Sequence, residues 1–390
     1  MPMKHLDVRT KRHPIPLVLC ITELRPGGAE KNLVYLATRV DRAKFIPHVV
    51  SIKPAPDVHR ARLLTKLLAA GIQPEFLAAH SWWHLARTLK RLTHFFRQTQ
   101  TAIVQSFLFH ANFLARIAAR LAGVRAVAAG IRVAEKSKQW HLRLEGLTSG
   151  WVDRFVCVSR AVAQYIQEKA GIPPHKIVVI PNGIDIAECD QTTPVLWEIY
   201  GIPSGADVIL YIGRLDAQKG IDRLLEVAPE FLEPGPELDP HLVILGDGPL
   251  RAQVEANVRN LSRSNRIHFL GWHPEPLSFL RSASLLVLPS RWEGMPNVIL
   301  EAMGCGKPVV ATQVEGVQEL LGEESELQIV PQEQWAGFAA RVKLLLGEKA
   351  LRLKLGTTNR ARAARLFSVE RMVDAYQNLW EDLIHSRGSL

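Results

Sequence analysis

Short apolar runs alternate with segments of helical hydrophobic spacing from one end of the chain to the other. Nearly continuous apolar strands between helices are typical of parallel sheets covered on both faces. The runs fall into two series, so the sequence predicts an α/β protein with two doubly wound, parallel-sheet domains. The predicted strands are 17–21, 49–52, 102–105, 127–130, 155–158 and 178–180 in the first series, and 208–212, 242–245, 267–270, 285–288 and 309–311 in the second.

The two series meet near 181–201, where Pro-Asn-Gly and then a polar stretch interrupt the pattern. A chain of 390 residues is long enough for two domains that each bury a core. We predict an N-terminal domain at 14–183 and a C-terminal domain at 184–367, followed by an amphipathic helix at 368–388.

Composition excludes several other classes of protein. The chain is 47% hydrophobic and 22% charged, which suits soluble globular domains and not disordered, collagen-like or coiled-coil chains. Its four cysteines are far apart and form no Cys-x-x-Cys pair, so we expect buried thiols, without disulfides or a zinc site. The apolar run 16–21 after the basic stretch 4–13 is too short for a secretory signal, and no run reaches the ~18 apolar residues that span a bilayer.

Charge is divided unequally between the two halves of the chain. Residues 1–185 hold 28 Lys+Arg against 11 Asp+Glu, a net charge of +17, and the remainder has a net charge of −7. A basic half suits nucleic acid, a phosphorylated ligand or an anionic membrane, and charge alone does not choose among them. Segment 81–98 predicts a basic amphipathic helix, either packed on the core with a solvated basic face or in contact with anionic headgroups. Its apolar positions are Trp82, Leu85, Leu89, Leu92 and Phe96, and its basic positions are Arg87, Lys90, Arg91 and Arg97.

A pair of glycines follows the first predicted strand. Pro26, Gly27 and Gly28 form a tight loop, and a helix is expected from Ala29 or Glu30. Adjacent glycines let backbone N–H groups approach a ligand, and a helix N-terminus favours phosphate, but a turn with positive φ needs the same residues. The G-x-G-x-x-G fingerprint is missing from this loop, which argues against an NAD-binding dehydrogenase.

Two loops in the second half carry candidate anion-binding groups. Arg214 and Lys219 follow strand 208–212, at the sheet edge where doubly wound domains bind ligands, and two cations on one glycine-flanked loop suit a diphosphate. Gly246 and Gly248 follow strand 242–245 and permit either the close approach of a ligand or simply a left-handed turn. Taken singly, each cation is more often a surface charge.

The segment 285–319 places two carboxylates around the start of a helix. Glu293 lies in the turn 290–294, and Pro296 suits the first position of a helix because its missing N–H costs nothing there. Glu301 lies inside that helix, eight positions after Glu293. The free N–H groups at 295–298 point to the space between the two acids. An acid in that position favours the hydroxyls of a ligand over its phosphates.

Several motifs, in this order, resemble one enzyme family. PGGAE, GRLDAQKG, GDGPLR, FLGW and LPSRWEGMPNVILEAMGCGKPVVAT together resemble the retaining nucleotide-sugar glycosyltransferases of family four, including the spacing of Glu293 and Glu301. The resemblance covers nearly the whole chain. It implies the GT-B fold: two facing Rossmann-like domains, of which the first is on the acceptor side and the second binds the donor, with the C-terminal helix packed back on the first.

The resemblance also implies roles for individual residues. Arg214 and Lys219 are expected to hold the donor diphosphate, Glu301 to bind the ribose hydroxyls, and Glu293 to lie against the transferred sugar. Trp272 is near the expected position of the nucleobase. The expected catalytic residues are Glu293, His110, Arg214 and Lys219, and the expected donor-binding residues are Gly27, Gly28, Arg214, Lys219, Gly246, Gly248, Trp272, Glu293, Gly294, Met295, Pro296, Asn297 and Glu301.

Fewer signals define the N-terminal side of the site. Position 107 is Phe where many relatives have His, while His110 keeps the later histidine of that loop. His110 either contacts the transferred sugar or has a core or capping role. Arg132, after strand 127–130, is a candidate for the acceptor side, and Asn182 is expected to turn the chain and line the cleft.

No Asp-x-Asp pair occurs in the sequence, so we expect no catalytic metal, and no cofactor either, because the nucleotide sugar is a substrate. The expected partners are a UDP- or GDP-sugar donor, a saccharide or lipid-linked acceptor and an anionic membrane surface, and not nucleic acid, for which no binding module is recognisable. The expected location is the cytoplasm, peripheral to the inner membrane face. Two alternatives stay open: a GT-B-fold sugar-nucleotide epimerase and a basic nucleic-acid-binding protein.

Overall fold

A computed structural model of the chain describes residues 13–79, 84–137, 139–322 and 325–388. The basic stretch 4–12 and Trp82 of the amphipathic segment lie outside the described residues. Within them, the apolar runs form the strands of two sheets, and the amphipathic segments form helices that cover both faces of each sheet.

Two fully parallel sheets carry the two halves of the chain. Within the described residues the strands are β1 (Ile15–Ile21), β2 (Phe45–Ser51), β3 (Glu75–Phe76), β4 (Ile103–Phe107), β5 (Ala126–Ile131), β6 (Arg154–Cys157), β7 (Ile177–Val179), β8 (Asp207–Ile212), β9 (Pro240–Leu245), β10 (Ile267–Gly271), β11 (Leu285–Leu288), β12 (Val309–Thr312) and β13 (Ile329–Val330). The first sheet has the order β3-β2-β1-β4-β5-β6-β7 and the second β10-β9-β8-β11-β12-β13. Both orders reverse beside a central strand, β1 or β8, which is the position where doubly wound sheets open a ligand crevice.

Helices connect nearly all successive strands, as parallel pairing requires. In the same described residues they are α1 (Gly28–Arg39), α2 (Arg62–Ala69), α3 (Leu85–Gln98), α4 (Phe109–Ala122), α5 (Gln139–Leu147), α6 (Arg160–Ala170), α7 (Ile186–Gln191), α8 (Ile221–Phe231), α9 (Arg251–Arg259), α10 (Pro276–Ser282), α11 (Asn297–Gly304), α12 (Val317–Leu321), α13 (Trp335–Gly347), α14 (Lys349–Leu366) and α15 (Val369–Gly388). None of the described helices is long and apolar enough to cross a membrane.

The central strand β1 shows why the apolar runs are uninterrupted. Leu17 and Leu19 pack with residues of α1 and α15 on one face of the first sheet, and Val18 and Cys20 pack with α3 and α4 on the other. All four side chains are fully buried. Because both faces of the strand lie in a core, no polar residue alternates with the apolar ones.

The chain passes between the two domains twice, and the two connections lie side by side. Ile184 N donates to Phe367 O at 2.8 Å, and Val369 N donates to Ile184 O at 3.0 Å. After the second crossing, α15 packs on the first sheet, where the fully buried Trp380 donates through Nε1 to Gln105 at 3.3 Å. The two interdomain crossings are therefore joined to each other by backbone hydrogen bonds.

The predicted α/β architecture with two parallel sheets is confirmed, and each predicted run overlaps a strand. Two strands were missed, β3 and β13, because each has only two residues and pairs at the edge of its sheet. The four cysteines are free thiols, and only Cys305 is not fully buried.

Candidate functional site

The two domains touch each other around the start of α11, beyond the carboxyl ends of both sheets. Ala134 N, from the segment after β5, donates to Glu293 O at 3.2 Å. Asn297 Nδ2, on the first residue of α11, donates to Gly28 O at 2.9 Å. Residues from the loops after β1, β5 and β11 therefore surround one point between the domains.

Lys219 and Glu293 form an ion pair next to the N-terminus of α11. Lys219 ends a single 3-10 turn that is capped by Asp216, whose side chain accepts from Lys219 N at 3.2 Å. Lys219 Nζ lies 2.5 Å from Glu293 Oε1, which also accepts from Ser290 Oγ at 2.7 Å. The Glu293 side chain is only 6% exposed. Two donors thus hold a nearly buried carboxylate in one orientation.

Arg214 lies on the same loop as Lys219 but nearer to solvent. Its side chain is 66% exposed and its Nε forms an ion pair with Asp216. An exposed ion pair contributes little net free energy, so the guanidinium can turn to an incoming anion at small cost. The structure places Lys219 against Glu293 beside the helix start, while Arg214 contacts only Asp216 on its own loop.

The glycines after β9 have a structural explanation of their own. A Cβ at either Gly246 or Gly248 would lie well under 3.0 Å from backbone atoms of the loop after β8. The close packing of these two loops therefore requires glycine without any ligand. Trp272, after β10, lies beneath the Arg60 guanidinium of the first domain, with 5.5 Å between Arg60 Cζ and the ring centroid.

The start of α11 differs by one residue from the prediction. Pro296 was expected at the first helical position, but its backbone is extended (φ −71°, ψ 112°), so it is the N-cap and Asn297 begins the helix. Met295 is buried before it. A Cβ at Gly294 would lie well under 3.0 Å from the carbonyl oxygen of Arg132, so glycine is needed here for the first domain to approach.

Asn182 joins the interdomain connection to α11. Its Nδ2 donates to Met295 O at 3.0 Å and to Asn297 Oδ1 at 2.6 Å, and its Oδ1 accepts from the Arg132 guanidinium. Asn182 is buried, and burial lowers the pKa of Arg132. These bonds leave no signal in the sequence, since their partners are 50 or more residues away along the chain.

The loop of the first domain that contains Gly27 and Gly28 requires glycine because other groups lie very close to its backbone. Gly27 is the N-cap of α1, and the helix begins at Gly28, before the predicted start at Ala29 or Glu30. A Cβ at Gly27 would overlap the carboxylate of Glu30, and one at Gly28 would lie 2.9 Å from Asn297 Nδ2. Glu30 is buried under this loop, and loss of solvation raises its pKa to about 7. No pattern in the sequence distinguished Glu30 from an ordinary residue of a first helical turn.

Glu301 has a partner that the sequence did not indicate. Lys31 Nζ, on α1, donates to Glu301 Oε1 at 2.8 Å, which links the first domain to α11. Lys31 follows the glycine loop, but no pattern around it distinguishes it from a solvated lysine on a helix surface. The residue that the resemblance assigns to ribose binding is therefore in contact with both domains.

His110 lies among aromatic residues of the first domain. It is exposed in the first turn of α4, and its ring lies 5.5 Å from that of Phe109 and 6.0 Å from that of His141. Phe107 is buried in the core, with Arg132 Cζ 5.8 Å from its ring centroid. The structure thus groups Arg132 with Asn182 and the α11 start, and His110 with the aromatic residues of α4 and α5.

Across the described residues, no group of three or more His, Cys, Asp or Glu side chains is placed to hold a metal ion. Cationic or donor groups of the site include Lys219, Lys31, the Arg132 guanidinium and the free N–H groups of α11, and Arg214 is a further cation on the loop of Lys219.

Comparison with solved structures agrees with the architecture. The structure of Anabaena Alr3699/HepE in complex with UDP and glucose matches with a TM-score of 0.80 at 19% identity, over 94% of this chain and 100% of that one. Sucrose-phosphate synthase from Thermosynechococcus elongatus matches with a TM-score of 0.78 at 19% identity, over 95% and 100%. At these identities the likeness establishes the fold, which is GT-B.

The curated relatives match over a smaller share of their own length than the solved structures do, and both are named as glycosyltransferases. The UDP-Gal:alpha-D-GlcNAc-diphosphoundecaprenol alpha-1,3-galactosyltransferase of Escherichia coli is 27% identical over 312 residues, which are 76% of this chain and 80% of the relative. The lipopolysaccharide core biosynthesis glycosyltransferase LpsD of Rhizobium meliloti (strain 1021) is 28% identical over 230 residues, 59% of this chain and 64% of the relative.

Two family models match the chain in succession. The model described as Glycosyltransferase Family 4 matches residues 26–188, and the model described as Glycosyl transferases group 1 matches residues 196–362. Together the two matched ranges include residues of the loops after β1, β8, β9 and β11. The chain belongs to the family-four glycosyltransferases.

Proposed function

We propose that this protein is a retaining, metal-independent glycosyltransferase that moves a sugar from a nucleoside diphosphate donor to a saccharide acceptor. One observation supports this above the others: Lys219 and Glu293 meet at the start of α11, where the backbone of the first domain also arrives. The departing diphosphate needs positive charge while its bond to the anomeric carbon breaks. Lys219, Arg214 and the free N–H groups of α11 supply that charge without a metal ion.

Retention follows when the acceptor hydroxyl attacks from the face that the diphosphate leaves. A diphosphate oxygen takes the hydroxyl proton, and the new bond from the acceptor oxygen to the anomeric carbon replaces the bond to the phosphate oxygen. Positive charge develops on the sugar ring during this exchange. The Glu293 carboxylate, fixed by Lys219 and Ser290, lies where it can stabilise that charge.

Closure of the domains excludes water from this reaction, because water would hydrolyse the donor. The contacts from Ala134 to Glu293 and from Asn297 to Gly28 hold the two domains together beside the reacting groups. The paired crossings at Ile184 and Val369 provide the hinge about which they separate to release the products.

We further propose a lipid-linked acceptor and contact with an anionic membrane from the cytoplasmic side. The E. coli relative is named for an acceptor on diphosphoundecaprenol. On the first domain, α3 exposes Arg87 and Lys90, and the region from α5 onward exposes Trp140, Leu147 and Trp151. Basic and aromatic side chains suit the headgroup region, where each cation near an anionic surface contributes about 1 kcal/mol.

Nucleotide release and product analysis test the catalytic proposal. The protein is incubated with UDP-galactose, UDP-glucose or a GDP-sugar, with a synthetic GlcNAc-diphosphoryl lipid as acceptor. We expect one donor to give UDP or GDP together with an α-linked product from the α-configured donor, and EDTA to leave the rate unchanged. A β-linked product would contradict retention, loss of the rate with EDTA would contradict metal independence, and the absence of product with every donor would contradict the acceptor class. Interconversion of the free donor without acceptor would indicate an epimerase.

Vesicle sedimentation tests the membrane proposal. We expect binding to vesicles with anionic lipid and little binding to neutral ones, and we expect the pair Arg87→Glu and Lys90→Glu to weaken it. Lys354→Glu, at an exposed position of α14 in the second half of the chain, is the matched control. Equal binding to both kinds of vesicle would exclude an electrostatic membrane contact.

A further inference from the structure

The ion pair between Lys31 and Glu301 crosses the domain interface. Lys31 is on the first helix of the chain and Glu301 is 270 residues later on α11. The side chains are 18% and 12% exposed, so the pair is largely shielded but not sealed. Removing two charges from water costs about as much as their attraction returns, so stability alone is a weak reason for such a pair.

Lys31 is held in place by more than Glu301. Its Nζ lies 5.7 Å from the centroid of the Tyr35 ring, and the Tyr35 hydroxyl donates to Glu188 at 2.6 Å. Glu188 is in turn paired with Lys66 Nζ at 2.7 Å. Burial on its own would lower the pKa of Lys31, but the Glu301 carboxylate, with Tyr35 and Glu188, raises it, so the ammonium stays charged.

This arrangement leaves Glu301 suited to a diol. Lys31 occupies Oε1 and fixes the plane of the carboxylate, while Oε2 remains to accept from a ligand. Glu301 is on the helix whose N-terminus faces the expected diphosphate, where an uncompensated carboxylate would repel the ligand. The Lys31 charge offsets that repulsion.

We propose that Lys31 positions the Glu301 carboxylate for the ribose hydroxyls of the donor, so that the enzyme selects ribonucleoside diphosphate sugars over 2′-deoxyribonucleoside ones. The inference rests on the proposed function, since it assumes a nucleotide donor in this site. In this proposal a residue of the first domain, Lys31, helps to select the nucleotide. A donor without the 2′-hydroxyl leaves a shielded carboxylate oxygen of Glu301 without a hydrogen bond, which lowers the affinity for that donor.

Calorimetric titration with four ligands tests this: UDP, GDP and their 2′-deoxy forms. We expect the wild-type protein to bind the better ribonucleotide roughly tenfold to a hundredfold more tightly than its deoxy form, as a hydrogen bond to a charged group implies. In Lys31→Met this ratio falls towards one, with ribonucleotide affinity lost more than deoxynucleotide affinity. Lys44→Met, which removes a lysine of the first domain that is paired with Glu381 outside this network, keeps the wild-type ratio.

The ratio separates a positioning role from a structural one. If Lys31→Met weakens ribo- and deoxynucleotides by the same factor, Lys31 only bridges the domains and the inference is wrong. If the wild-type protein binds both forms equally, the inference is wrong although the donor site stands. If none of the four ligands binds, the UDP- or GDP-linked donor on which the inference rests is wrong.

Discussion

The ammonium of Lys219 and the carboxylate of Glu293 lie 2.5 Å apart, so the group expected to hold the donor phosphate also holds the group expected to face the sugar. In the proposed reaction, Lys219 then contacts the leaving phosphate and also the carboxylate that faces the sugar. The pair depends on the loop after β8 and the turn before α11, which adjacent parallel strands bring to the same edge.

Replacing Lys219 by Met removes the enclosed cation and keeps the length of the side chain. We expect the rate of sugar transfer to fall by about 10²- to 10³-fold, the cost of losing one preorganised charge donor at a transition state. Steady-state kinetics measure this, and Arg223→Met, at an exposed position of α8, is the control. A Lys219→Met enzyme with wild-type kcat would contradict its role.

Replacing Gly294 by Ala tests the approach of the two domains. The new methyl group would meet the Arg132 carbonyl and the Val133 backbone at well below contact distance, so the first domain must move away from the turn that carries Glu293. A displacement of about 1 Å costs on the order of 100-fold in rate. Gly150→Ala is the control, because a Cβ there has no neighbour within 4 Å. Equal rates in the two variants would show that the domains do not close here during catalysis.

Replacing Asn182 by Ala tests the buried amide between the domains. The change removes two donated hydrogen bonds and one bond accepted from the Arg132 guanidinium. We expect the free energy of unfolding to fall by about 2 to 3 kcal/mol, since buried partners are left unsatisfied. Urea denaturation measures the change, and Asn257→Ala, at an exposed position of α9, should stay within about 0.5 kcal/mol of the wild type. Similar values for both variants would contradict the account of Asn182.

Glu30 makes stability depend on pH in a stated direction. Loss of solvation, with a smaller contribution from Glu23, outweighs the opposing effects of a backbone hydrogen bond, Arg132 and Lys53, and its pKa rises from an ordinary 4.5 to about 7. Because folding raises this pKa, the contribution of Glu30 to the free energy of unfolding is complete below pH 4.5 and declines as the pH rises to about 7. The decline amounts to about 3 kcal/mol at most. Urea denaturation of wild-type protein and Glu30→Gln from pH 4.5 to 7.5 measures it. The difference in unfolding free energy, wild type minus variant, should fall across this range, and a constant difference would contradict the prediction.

The fold was predictable because burial on both faces leaves a strong signal. β1 and β8 are apolar throughout or nearly so, and the polar loops at their ends mark where a ligand binds. The candidate residues Arg214, Lys219 and Glu293 could be named from their place after strands. The edge strands β3 and β13 left no such signal, because two residues form no periodic pattern.

The interdomain contacts could not be read from the sequence. Lys31 meets Glu301, and Asn182 meets Asn297, only because the two domains have a particular relative position. No local pattern records that position. The glycines illustrate the same limit: Gly246 was attributable to a ligand or a turn, and the structure shows that a neighbouring loop fills the space.

In the proposed function, a nucleoside diphosphate sugar binds between Lys219 and Glu301 at the start of α11. The most direct measurement is the melting temperature in the presence of UDP-, GDP- and ADP-sugars, because a ligand that binds the folded state raises it by mass action. We predict a saturable rise with at least one of them, and its loss in both Lys219→Met and Glu301→Ala. No rise with any of these donors, or the same rise in both variants, would contradict the account.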